Sequence, residues 1–163
     1  MAHIENFGEY SVKNIKSFMG REGLGFNANL YKGKKKIAFA YDDASGGEVD
    51  IDWIDRNEEA ELDRFCNTLP VLEFENPKVT LTVDAGLFVS ELVERFRDVN
   101  KMRKQCRTKT LFRSSDEGYG RYRILNAICD DRTRTHLRTK YGNDVEIFND
   151  VLASGGTPSV LNV

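Results

Sequence analysis

The chain has 163 residues, 40% of them hydrophobic, with 24 Lys and Arg against 26 Asp and Glu and a formal net charge of −2. That length suits one domain able to bury roughly 70% of the surface its unfolded form exposes, and ten Phe residues argue against a disordered chain. The longest apolar runs, such as Ile37–Tyr41, fall far short of the ~20 residues of a membrane helix. Polar Met1–Tyr10 lacks a signal core, so no membrane partner and a cytoplasmic location are expected.

Taken in chain order, most of the first third predicts β structure. Val12, Ile15 and Phe18 recur every third residue, so Ser11–Phe18 fits a helical turn as well as a strand. Phe26–Tyr31 alternates, with Phe26, Ala28 and Leu30 on one side and Asn27, Asn29 and Tyr31 on the other. Lys32-Gly33-Lys34 is a turn signal, and Lys36–Tyr41 returns as the second arm of a hairpin. Glu48–Trp53 alternates most clearly of all, with Val49, Ile51 and Trp53 opposite Glu48, Asp50 and Asp52. A meander of antiparallel strands is the simplest assembly.

Asp55–Leu69 switches to helical spacing, with acidic residues in its first turn, and Pro70 ends it. Val71–Phe74 and Lys78–Val83 read as short strands. Asp84 is positioned to cap a long helix over Ala85–Gln105, whose stripe runs through Phe88, Val89, Leu92, Val93, Phe96, Val99 and Met102. Thr108–Arg113 and Arg121–Ala127 make a second hairpin. Asp130 or Asp131 caps a helix ending at Gly142, and Val145–Phe148 is a last strand. The pattern is α+β: an antiparallel N-terminal sheet packed with two to three helices and a second hairpin in the C-terminal half. Residues 1–153 are expected as a single domain, with a subdivision near 84, and 154–163 as a flexible tail.

Charge is sorted along this chain. Residues 41–75 hold twelve acidic side chains and two basic ones, whereas 95–140 hold fourteen basic and five acidic. Fields of opposite sign steer charged partners without naming them. In the acidic stretch Glu48, Asp50 and Asp52 lie on one strand face, about 7 Å apart between neighbours, and Asp42 and Asp43 precede them across a turn. Five carboxylates together can hold Mg²⁺ or Ca²⁺, meet a basic protein surface, imitate a phosphate backbone, or simply face water. In the basic stretch Arg103, Lys104, Arg107, Lys109, Arg113, Tyr119, Arg121 and Arg123 form the candidate face. Arginines interleaved with aromatics suit phosphate contact and base stacking. A solvated face partly paired with the acidic stretch inside the same fold, or an acidic protein partner, also accounts for them.

Other features carry less chemistry. Gly20-Arg21-Glu22-Gly23-Leu24-Gly25 opens onto a strand rather than a helix, so it reads as a hairpin loop and not a phosphate cradle. Cys66, Cys106 and Cys129 have no metal-ligand or disulfide spacing. His3 and His136 are the only histidines, which leaves a His-based triad unsupported. No cofactor motif is present, and no cofactor or catalytic residue is expected. Trp53 belongs to the apolar strand face, whereas Tyr119, at a Gly-flanked hairpin tip, is placed to anchor an interface.

The run GREGLGFNANLYKGKKKIAFAYDDASGGEVDIDW, Gly20–Trp53, with LRTKYGNDVEIFND, Leu137–Asp150, resembles small bacteriophage accessory proteins of unknown function. No catalytic motif comes with that resemblance, so no functional residue transfers. It implies an intracellular viral protein that binds and disables a host protein or antiviral defence complex. The expectation is therefore a non-enzymatic inhibitor acting through its charged faces. The alternatives are a nucleic-acid or nucleotide-binding module on the basic face and a divalent-metal nuclease on the acidic strand. Oligomeric state stays open.

Overall fold

A computed structural model describes residues 4–75, 77–118 and 120–161. The chain forms two compact units, Met1–Phe96 and Arg97–Val163. The fold is α+β.

The first unit is built on an antiparallel sheet of β1 (Tyr10–Met19), β2 (Leu24–Lys32), β3 (Lys35–Asp42) and β4 (Asp50–Trp53) in that spatial order. The ambiguous first segment is a strand. It carries an irregularity between Lys13 and Lys16, where β1 has one residue more than β2, and its apolar residues do not share one face: Val12 lies in the core, whereas Phe18 stacks on Tyr41. Alternation elsewhere sends Tyr10, Val12, Phe26, Ala28, Leu30, Ala38 and Ala40 into the core. Ile51 and Trp53 pack against that core from β4, as the alternation of Glu48–Trp53 predicts.

Helix α1 (Arg56–Cys66) starts where Asp55 accepts from the Asn57 N–H at 2.9 Å, and Glu58 and Glu59 favour the positive end of its dipole. It buries Leu62 and Cys66 in the same core. A hairpin of β5 (Leu72–Glu75) and β6 (Lys78–Leu81) follows. Helix α2 (Ala85–Gln105) begins at Asp84, whose Oδ1 accepts from the Leu87 N–H at 2.7 Å. The stripe residues Phe88, Val89, Leu92 and Val93 are buried in the core of this unit. Phe88 is fully buried, with ring centroids of Phe7, Tyr10 and Phe65 at 5.4–5.7 Å. Burying one such side chain stabilises by about 1.5–3 kcal/mol.

The second unit takes the end of α2 and adds β7 (Thr110–Arg113), β8 (Arg123–Leu125), α3 (Asp131–Tyr141), β9 (Glu146–Ile147) and α4 (Phe148–Ala153). Strand β7 lies between β8 and β9 and is antiparallel to both. Leu111 joins Met102, Phe148, Leu152 and Val160 on one side, and Phe112 joins Leu137, Val145 and Ile147 on the other. Of the two candidate caps, Asp130 is the residue that holds the start of α3, through the Thr133 N–H at 2.7 Å.

Two sequence expectations are corrected here. The last strand stops after Ile147 and the chain turns into α4, a fourth helix too short to leave a periodic signal. Residues expected as a flexible tail are packed: Ser159–Leu161 form a 3-10 turn, Pro158 and Val160 are buried, and the Ser159 N–H donates to Glu146 Oε1 at 2.8 Å. No helix among the described residues is long and apolar enough to cross a membrane.

Candidate functional site

The sheet of the first unit has one face in the core and one outside. Strict pairing assembles two rows across the outer face. Lys13 pairs with Asn29, Asn29 with Phe39, and Phe39 with Asp52. In the next row Lys16 pairs with Asn27, Asn27 with Tyr41, and Tyr41 with Asp50. Each row therefore reads lysine, asparagine, aromatic ring, aspartate. Directly paired side chains stand within contact range on one face, so charge runs from basic at β1 to acidic at β4.

The β1 bulge makes this alignment. Residues three apart normally point to opposite faces, and the extra residue brings Lys13 and Lys16 to the same one. It places Asn14 at φ 54°, a left-handed conformation that asparagine tolerates better than other side chains.

The rings are exposed for their type. Phe39 is 37% and Tyr41 36% accessible. Tyr41 stacks on Phe18 at 6.0 Å between centroids, and the Lys13 ammonium lies 4.6 Å over the Tyr31 ring. Asp50 and Asp52 are exposed, and neither carboxylate has an ion-pair or side-chain hydrogen-bond partner among the described residues.

The five acidic residues expected to converge do not form one cluster. Asp42 is half-buried and turns its Oδ1 to the Ala44 N–H at 2.8 Å. Asp43 accepts from the Ser45 N–H at 2.9 Å and hydroxyl at 2.6 Å, and the Ser45 hydrogen bonds hold its carboxyl below the usual range. Glu48 is exposed but lies ahead of β4, outside the strand. Only Asp50 and Asp52 share a strand face. No group of three His, Cys, Asp or Glu able to hold a metal ion occurs among the described residues.

Much of the remaining acidity is engaged locally. Buried Glu58 pairs with Lys35 at 2.7 Å, and Glu61 hydrogen-bonds Lys32. The acidic face of α1 thus sits against the β2–β3 turn.

The basic stretch divides in the same way. Arg103, Lys104 and Arg107 are exposed around the C-terminal end of α2, Arg121 is exposed ahead of β8, and Lys109 is half-buried. Arg113 and Arg123 have partners within the unit. The Arg113 guanidinium donates to Ser159 Oγ at 3.2 Å. Arg123 donates to the Tyr141 hydroxyl at 3.1 Å and pairs with Glu117 and with Asp116 at 3.6 Å. The hydrogen bond with Tyr141 raises the arginine and lowers the phenol from their ordinary values. Tyr119, the expected anchor at the hairpin tip, lies outside the described residues.

His136 is exposed on α3. Burial pushes the Cys66 thiol up to about 11, so it packs as a protonated apolar group.

The Lys-Asn-aromatic-Asp rows were not a sequence expectation. Their signal was present, since asparagine is depleted in strands and Asn27 and Asn29 occupy one face of β2. Comparison with protein-family models, with curated proteins and with solved structures finds no match to this chain.

Proposed function

We propose that the protein is a non-enzymatic binding protein of bacteriophage type that inhibits a host protein or defence complex, docking through the β4 side of its outer sheet face. One observation carries this reading. Asp50 and Asp52 stand exposed and without ion-pair partners among the described residues, and Tyr41, stacked on Phe18, lies directly beside Asp50. An accessible ring bordered by unpaired carboxylates complements a basic protein surface. The carboxylates steer approach and set orientation, and the ring supplies the desolvated anchor.

The resemblance of Gly20–Trp53 to phage accessory proteins supports the same reading, because that segment contains β2, β3 and β4. The test is double charge reversal, Asp50→Lys with Asp52→Lys. It should abolish capture of the host protein held by the wild-type chain and leave folding stability within about 0.5 kcal/mol, as for other exposed positions. Undiminished capture by the double variant would reject this edge as the interface.

A further inference from the structure

The outer face contains a groove of about 500 Å³, lined by Asn14, Ile15, Lys16, Asn27, Asn29 and Phe39. This volume lies within the range of small-ligand sites. Three asparagines line it, one on the bulge and two on β2. Asn27 Oδ1 is buried without a hydrogen-bond partner, so this amide has an unmet requirement that rotation toward the groove and a ligand can satisfy. Asn14 is held left-handed at the rim, and bulges that re-aim side chains concentrate beside functional sites. Phe39 gives a flat apolar wall, and Lys16 a cation with no ion-pair partner among the described residues.

The geometry points to a nucleotide site in this groove, with the base against Phe39, its polar edge on the Asn27 and Asn29 amides, and the phosphate toward Lys16. Each element matches a separate part of that ligand. A carboxamide offers a donor and an acceptor side by side, the pattern displayed by base edges. An exposed ring accepts any base by stacking. The charge gradient sets direction, because an anion favours the β1 lysines and is repelled from Asp50 and Asp52 on β4. A free mononucleotide and a nucleotide within a single strand share this chemistry. The assignment does not rest on the protein-docking reading, which uses Tyr41, Asp50 and Asp52; the two patches adjoin, since Asn27 pairs with Tyr41 and Phe39 with Asp52.

The test titrates the intact chain with AMP, GMP, CMP and UMP, with ribose 5-phosphate, and with a short single-stranded oligonucleotide, following the Asn side-chain amide resonances by NMR. Saturable binding of at least one nucleotide should shift the amides of Asn14, Asn27 and Asn29. Lys16→Glu, at an exposed edge position, should weaken it by about tenfold or more. Asp50→Lys with Asp52→Lys should retain it. Mononucleotide binding identifies the free ligand, and binding of the oligonucleotide alone identifies a strand. Ribose 5-phosphate binding as tightly as AMP would overturn the assignment, since the base would then not be read. So would the absence of saturable binding by every probe, or binding lost in Arg103→Glu but unchanged in Lys16→Glu.

Discussion

Asn149 shows how much one side chain can hold. Its Nδ2 donates to the carbonyls of Cys106 at 3.1 Å and Lys109 at 2.9 Å, and its Oδ1 accepts from the Leu111 N–H at 3.0 Å. The turn leaving α2 is thereby tied to α4. Asn149→Ala strands three backbone groups and should lower stability by about 1–3 kcal/mol, read as a shift in denaturant midpoint at unchanged slope. A loss below about 0.5 kcal/mol would show that water replaces the amide. Nothing in the local sequence marks this residue, because its partners lie 38 to 43 positions earlier. The five candidate carboxylates teach the converse. Asp42 and Asp43 look like members of an acidic cluster, yet each satisfies a backbone N–H two residues on, a turn role typical of aspartate.

Elements were the most legible level. The strands β2 and β3 and the cap and span of α2 follow from periodicity and capping chemistry, which act within a few residues. The β1–β2 hairpin shows where that reasoning stops. Its glycines mark a turn, but their positions answer to a neighbouring segment. A Cβ at Gly25 would meet Asp42 O at 2.4 Å and the Phe18 ring at 2.6 Å, and one at Gly20 would meet Asp43 O at 2.4 Å. Gly25→Ala should therefore destabilise by about 1–3 kcal/mol through overpacking, whereas Gly33→Ala should act only through the left-handed backbone of its turn, φ 57° with open space around the built Cβ. Thermal melts of the two variants distinguish these causes if Gly25→Ala also disturbs the near-ultraviolet signal of the Phe18–Tyr41 stack and Gly33→Ala does not. The bulge in β1 escaped for the same reason: an extra residue is visible only against a partner strand.

Over the whole molecule the sorted charges set a pH profile. Hydrogen bonds hold Asp43, Glu61, Asp116 and Asp130 below the usual carboxylate range in the folded state, with Ser45, Lys32, Ser114 and Thr133 as the respective partners. Their stabilisation is present above the ordinary carboxylate values and is lost as pH falls through the lowered ones. Lys32 and Lys35 are raised by Glu61 and Glu58, so their stabilisation is complete below the ordinary lysine value and is lost as pH rises through the raised one. The melting temperature should be flat through neutrality and fall in acid. Glu61→Gln should make that acid fall shallower, and salt should shrink the difference because the pair is exposed. An acid limb unchanged by the substitution would remove this pair from the account. By itself the sequence determined the α+β class, the identity of most elements, and the division of β2 and β4 into two faces, because those follow from local periods of 2 and 3.6. Tertiary structure decided which charges remain exposed without partners and which residues share a row on the outer face. Both depend on cross-strand register and on the docking of α1 against a distant turn, where long-range geometry rather than local pattern brings the groups together.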